Sequence, residues 1–179
     1  MIDVAVASSP TTRIKPEDIA SVSCRTAEGP VPRLWEPLPA KHRPPNGYAS
    51  KFSLPYLLAV ILVKGRATLA DFTDDAVRDA AVLQVSDKVG YEIDPTIDYP
   101  RQFVGHVAIT LRDGRVIEER QDHPRGGPDF PMTRADLEAK FHGNATLAVS
   151  ADQAACLIRV AAELATATSI AELALALAT

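Results

Sequence analysis

Three side chains that can bind or protonate an anion stand close together, at Lys51, Ser53 and Tyr56. Ser53 is followed by Leu54 and Pro55, the pattern of an N-cap with a proline in the first helical turn. A helix N-terminus carries free amides and partial positive charge that can hold a carboxylate, and a tyrosine hydroxyl can donate to one. The same spacing also fits a plain helix cap, a solvated lysine and a half-buried tyrosine, so both interpretations stay open.

A buried helix must position these side chains. Residues 53–63 are almost wholly apolar, and Gly65 is a typical helix end. The sequence therefore predicts a core helix that begins at Ser53, with Lys51 just before its first turn and Tyr56 one turn inside it.

The other reactive residues form no recognisable site. The histidines, at positions 42, 106, 123 and 142, lack metal-ligand spacing, so each is predicted to be a surface or hydrogen-bonded histidine and no metal is expected. Gly126-Gly127 lacks the strand-to-helix context of a phosphate loop and is predicted to be a turn. A nucleophilic triad of Ser53, His123 and Asp129 can be drawn, but nothing in the spacing favours it.

Composition limits the possible partners. The chain has 179 residues, is 46% hydrophobic and carries a net charge of −4 without a basic block, which argues against a nucleic-acid partner. Its longest apolar run, residues 54–63, is too short to span a bilayer. Residues 1–3, Met-Ile-Asp, do not open a signal peptide, and Cys24 and Cys156 are expected to be free thiols, so a cytoplasmic protein is predicted.

The remaining pattern predicts both strands and helices. A helix stub is expected at 2–7, a strand at 19–26, an irregular proline-rich connection at 28–47 and a helix from Thr73 to about Leu83. Further elements are a strand at 88–93, a strand at 103–111 joined by Asp113-Gly114 to a hairpin partner at 116–120, a helix capped by Thr133 through Phe141, and two helices at 151–165 and 169–178. This order indicates an α+β domain with a small antiparallel sheet and helices packed on it, followed by C-terminal helices.

Five segments, in order and at consistent spacing, carry a resemblance to the C-terminal part of the MmgE/PrpD family, which includes 2-methylcitrate dehydratase, cis-aconitate decarboxylase and iminodisuccinate epimerase. The segments are residues 14–22 (IKPEDIASV), 49–56 (ASKFSLPY, with the apolar helix and Gly65 after it), 107–114 (VAITLRDG), 127–133 (GPDFPMT) and 137–141 (LEAKF).

The resemblance implies a lid-like α+β domain at residues 1–146 and a C-terminal helical appendage at 147–179. Members of the family named above act on small polycarboxylates without a metal or organic cofactor. They pair proton abstraction beside a carboxylate with loss of water, loss of carbon dioxide or reprotonation. In the family, the active site lies between the lid and a large helical domain.

This chain departs from the family pattern because the catalytic residues of the helical domain, among them a Lys-Pro-Tyr-Pro-like motif and a following histidine, have no counterpart here. The lid tyrosine maps onto Tyr56, which is the expected catalytic residue. Ser53 and Lys51 match the same motif and are the expected substrate-binding residues. We therefore expect the chain alone to be inactive as an enzyme of this class.

Three hypotheses follow: half of an enzyme completed by a separate helical-domain subunit, an orphan fragment without catalysis, or an interaction module that reuses the lid fold. The C-terminal helices carry apolar residues that no helical domain covers in this chain, so a homo-oligomer is also predicted. These residues are Ala155, Ile158, Ala161, Ala162, Leu173, Leu175 and Leu177.

Overall fold

A computed structural model describes residues 14–178. The helix stub expected at residues 2–7 lies outside them. Packing divides the chain into two compact units, the first ending at Phe130 and the second beginning at Pro131. The division falls before the helix that follows Thr133, and the domain boundary expected after residue 146 stays a prediction. None of the described helices has both the length and the apolar character that a bilayer crossing requires.

The first unit contains a four-stranded sheet in the order β2-β1-β3-β4. The strands are β1 (Ile19–Thr26), β2 (Val89–Ile93), β3 (Gly105–Leu111) and β4 (Val116–Gln121). β3 pairs antiparallel with both β1 and β4, and Gly114 closes the hairpin between β3 and β4 with a φ of 89°. The predicted α+β class is confirmed.

One pairing in this mostly antiparallel sheet is parallel. β1 and β2 run parallel, with Val22 opposite Val89. Parallel neighbours need a long crossover connection, and here the helical segment between the two strands supplies it. The alternation of apolar and polar residues along a strand does not show whether its neighbour runs parallel or antiparallel to it.

The crossover begins with three short helices, α1 (Val31–Leu34), α2 (Leu38–His42) and α3 (Gly47–Ser50). The prediction of an irregular connection over residues 28–47 was therefore wrong. Four of its six prolines lie at caps or in first turns, because Pro30 and Pro37 are N-caps and Pro32 and Pro39 follow them within the helices. A proline there loses no helical hydrogen bond, since the first amides of a helix have no intrahelical acceptor.

The predicted core helix is α4 (Leu54–Lys64), and its ends are as expected. The Ser53 hydroxyl accepts from the Tyr56 amide at 3.1 Å, and Gly65 ends the helix with a φ of 74°. α4 lies in the main core, in which β1, β3 and the next helix, α5 (Ala80–Ser86), also bury side chains.

The helix expected from Thr73 to Leu83 is interrupted. Only a 3-10 turn, Ala76–Arg78, follows Thr73, whose hydroxyl accepts from the Ala76 amide. Asp79 then caps α5 by accepting from the amides of Ala81 and Val82. Asp79 is a second capping residue within this segment, and a new helix begins at it. The pattern of apolar residues does not show that the helix is interrupted there.

The second unit consists of helices, α6 (Arg134–Ala145), α7 (Ala151–Glu163) and α8 (Ala171–Ala178). The predicted capping box is present, because Thr133 and Asp136 each accept from the other's backbone amide. α6 continues past the expected end at Phe141, since no stop signal follows it at once. α7 and α8 form close to the predicted positions.

Candidate functional site

Tyr56 is fully buried in the core of the first unit. Its hydroxyl lies 2.9 Å from the backbone oxygen of Asp71 and 3.0 Å from that of Ala76, and it can donate its one proton to either. Burial, followed by the charges of Asp71 and Asp79, raises the pKa of Tyr56 to about 12. The phenol is therefore a neutral donor that is already occupied within the protein.

Ser53 is also buried, and both functions of its hydroxyl are used. It accepts from the Tyr56 amide and donates to the backbone oxygen of Lys41 at 2.5 Å. The Lys41 ammonium in turn donates to the backbone oxygens of Arg33 and Phe52, at 2.5 and 2.8 Å. Ser53 thus ties the start of α4 to α2 and has no free polar group for a ligand.

Unlike the buried side chains of Ser53 and Tyr56, the side chain of Lys51 is exposed. It lines a cleft of about 580 Å³. The cleft lies within the first unit, between the C-terminal end of β1, the α1 segment, the turn before α4 and the loop of residues 97–104. Of the three site residues predicted from the sequence, Lys51 alone contributes to its wall.

Arg33 is the second cation of the cleft. Its guanidinium carbon lies 4.8 Å from the centroid of the Phe52 ring, a cation–π arrangement that holds the charge against an aromatic wall. Within residues 14–178, neither Arg33 nor Lys51 forms an ion pair with a carboxylate, and the described lining of the cleft contains no Asp, Glu or His. This wall can attract an anion but offers no proton acceptor.

The far wall of the cleft is the loop that precedes β3. Tyr99 packs on Gly29 so closely that a Cβ at Gly29 would lie 2.6 Å from the ring. The ring of Phe103 meets Tyr99 edge-on at 5.3 Å between centroids. A glycine at position 29 is therefore required for Tyr99 to form this wall.

Sequence reasoning missed Arg33 and the loop of residues 97–104. Arg33 lies in the proline-rich stretch that was predicted to be irregular, and the loop is distant in the chain from Lys51. No spacing rule connects them, because the sheet brings these segments together. The cation–aromatic pair of Arg33 and Phe52 has no local sequence signal either.

His106 illustrates the hydrogen-bonded histidine that the sequence predicted. It is 4% exposed, its Nδ1 accepts from the Arg25 amide at 3.3 Å, and its Nε2 lies 2.7 Å from Oε1 of Glu118. The hydrogen bond from His106 lowers the pKa of Glu118. Among residues 14–178, no group of three His, Cys, Asp or Glu side chains could hold a metal ion.

The drawn triad does not assemble. His123 and Asp129 lie 3.3 Å apart in an exposed loop, but the Ser53 hydroxyl is buried and bonded to Lys41 and Tyr56. A nucleophile needs a free hydroxyl beside its base, so these residues do not form one site.

Comparison with known proteins gives a consistent result. A family model for the MmgE/PrpD C-terminal domain matches residues 1–166. Cis-aconitate decarboxylase from Mus musculus is 30% identical over 124 residues, which cover 68% of this chain and 25% of that protein. The human cis-aconitate decarboxylase is 26% identical over 118 residues, covering 65% of this chain and 24% of that protein.

A fungal protein is also similar. The 2-methylcitrate dehydratase-like protein oryR from Aspergillus oryzae is 30% identical over 146 residues, covering 76% of this chain and 29% of that protein. The chain thus spans about a quarter of the length of the curated relatives it matches.

Proposed function

The chain belongs to the MmgE/PrpD family, and from this premise we propose that it is the lid-side part of a lyase or isomerase that acts on small polycarboxylates. The relatives' names point to dehydration of 2-methylcitrate or decarboxylation of cis-aconitate. The resemblance implies that this chemistry needs no metal or organic cofactor. The chain spans about a quarter of the length of these relatives. We propose a helical-domain subunit as its partner.

One observation supports this proposal above the others. The cleft of the first unit presents two cations, Arg33 and Lys51, and its described lining offers no base. Removing a proton beside a carboxylate needs a charge clamp, a base and an acid that converge on one substrate. In this proposal the chain supplies the charge clamp, and a helical-domain partner supplies the base.

Complementation tests this proposal. The 179-residue chain is mixed with a helical-domain polypeptide of the same family from the same genome, and dehydration of 2-methylcitrate and decarboxylation of cis-aconitate are assayed. We expect turnover by the mixture and none by either protein alone. Turnover by the chain alone would contradict its dependence on a partner, and an inactive mixture that forms a stable complex would contradict the lid function.

Lys51→Met should lower turnover by the mixture at least tenfold, because the variant loses a charge that contacts the substrate carboxylate. Lys140→Met is the matched control, since Lys140 is an exposed lysine on α6 in the second unit. Equal turnover by the two variants would remove Lys51 from the proposed site.

Nothing yet tests the catalytic role that the resemblance implies for Tyr56, and the buried, bonded hydroxyl leads us to propose a structural role instead. Donation to substrate requires the hydroxyl to leave the backbone oxygens of Asp71 and Ala76. We expect Tyr56→Phe to lower the free energy of unfolding by about 1 kcal/mol and to leave turnover by the folded mixture unchanged. A tenfold fall in turnover with intact folding would instead support the catalytic role.

A second candidate function, an oligomeric interaction module without catalysis, is favoured by the second unit. Its helices expose large apolar side chains that include Leu137, Phe141, Leu175 and Leu177. A contiguous apolar surface usually marks an interface. Self-association together with no activity in any mixture would favour this alternative.

A further inference from the structure

The cleft that contains Arg33 and Lys51 is larger and more apolar than a small polycarboxylate requires. Its volume of about 580 Å³ is within the range of pockets that hold drug-sized ligands. Most of its lining side chains are aliphatic or aromatic, and the cations are confined to α1 and the turn before α4. A ligand that only carried carboxylates would leave most of this wall without a complementary group.

The charges and the apolar wall are arranged side by side. The Arg33 guanidinium lies over the Phe52 ring, and Lys51 is the neighbour of Phe52 in the chain. Across the cleft, Tyr99 and Phe103 form an edge-on aromatic pair that is partly exposed. A bound molecule can therefore present an anion to the cations and, at the same time, an apolar group to the rings.

We propose that the cleft recognises an amphipathic carboxylate, in which one or two carboxylate groups bind Arg33 and Lys51 and an alkyl chain packs on Phe52, Tyr99 and Phe103. The inference rests on the proposed function for the identity of this cleft as the substrate site, and it narrows the substrate class to carboxylates with an apolar substituent. Arg33 can contact a carboxylate with two parallel hydrogen bonds, whereas Lys51 contributes a more mobile point charge.

Gly29 sets the shape of the apolar wall. Because a Cβ at this position would meet Tyr99 at 2.6 Å, Gly29→Ala must push the ring away from the segment after β1. The cations lie on other segments and keep their charge in this variant. Gly29→Ala should thus weaken the binding of alkylated ligands more than that of succinate.

Calorimetric titration of the full 179-residue chain with succinate, butylsuccinate and hexylsuccinate tests the proposal. We expect affinity to rise about three- to fourfold for each methylene that the cleft buries. Phe103→Ala should reduce this dependence on chain length, and folding should be undisturbed because Phe103 is 55% exposed. Arg33→Met and Lys51→Met should each weaken all three ligands at least tenfold, whereas Lys140→Met should not.

Equal affinity for succinate and hexylsuccinate, or no binding of either at millimolar concentration, overturns the proposal. Unchanged affinity in the double variant Arg33→Met/Lys51→Met also overturns it. The result is separable from the complementation assay, because titration needs no partner and no turnover. If affinity rises with alkyl length but the complemented mixture is inactive, the binding site is supported and the proposed catalytic function is refuted. If affinity does not change with alkyl length but the mixture is active, the catalytic function is supported and the amphipathic ligand is refuted.

Discussion

The two units of the chain differ in how they use their apolar residues. In the first unit, the sheet and α4 enclose large side chains that are 0% exposed, such as Trp35, Tyr56, Leu58 and Ile109. In the second unit, the buried residues that the structure describes are Ala154, Leu157, Val160 and Ala176, and large residues such as Phe141 and Leu175 are exposed.

The difference shows which unit can stabilise itself. Burial of a large apolar side chain stabilises a fold by about 1.5–3 kcal/mol, so the first unit gains from a core of its own. The second unit lacks this stabilisation for its large apolar side chains that lie exposed on the surface. We infer that the first unit is a self-sufficient domain and that the second requires another surface to cover it.

The largest expected difference between the two units is in the free energy of unfolding, when a core residue of the first unit is truncated. Leu58, on α4, is 0% exposed, and Leu58→Ala should lower the free energy of unfolding by about 2–5 kcal/mol, because it leaves a cavity. Leu175, on α8, is 68% exposed, and Leu175→Ala should change the free energy of unfolding by less than about 0.5 kcal/mol. Urea titration of both variants measures the contrast, and similar losses would contradict it.

A smaller effect is expected on self-association. Leu137 and Phe141 lie one turn apart on α6 and are 54% and 42% exposed. If the second unit is covered by another copy, Leu137→Gln/Phe141→Gln should weaken association by about 2 kcal/mol or more, roughly thirtyfold in Kd.

Light scattering across a dilution series measures this association. Leu69→Gln is the matched control, because Leu69 is a comparably exposed leucine of the first unit. A wild-type chain that remains monomeric at micromolar concentration and binds no apolar dye would refute the predicted homo-oligomer.

The next effect depends on pH and concerns Asp71, beside the hydroxyl of Tyr56. Burial alone raises the pKa of Asp71, but hydrogen bonds from Lys64 at 2.9 Å and from Thr68 at 2.8 Å outweigh it, so the pKa lies below its ordinary value of 3.8. The carboxylate therefore contributes stability above the unfolded pKa and loses it as the pH falls through the folded pKa.

Asp71→Asn should lower the free energy of unfolding by about 1–3 kcal/mol at pH 7, and the gap to wild type should shrink below about pH 4. Glu163→Gln in the second unit is the control. Glu163 pairs with Arg159 at 3.4 Å on an exposed helix face, and such pairs contribute little. Urea titrations at pH 7 and pH 3 measure both variants, and a gap that stays constant with pH would exclude the charged contribution of Asp71.

Local signals predicted much of the fold. The N-cap at Ser53, the end at Gly65, the capping box of Thr133 and Asp136, and the turn at Gly114 all form as expected. Each depends on hydrogen bonds or dihedral angles within a few residues, which the sequence specifies directly. The prediction for the proline-rich stretch was wrong for a related local reason, because a proline can begin a helix as well as prevent one.

The sequence by itself determined the family, the α+β class, and the cap and core helix around Ser53 and Tyr56. Tertiary structure alone decided which of the reactive side chains reach a ligand. Packing turned Ser53 and Tyr56 inward onto backbone groups, and the sheet brought Arg33 and the loop of residues 97–104 beside Lys51. The physical reason is that caps are made by neighbours in the chain, whereas a cleft is made by segments whose proximity depends on how the strands pair.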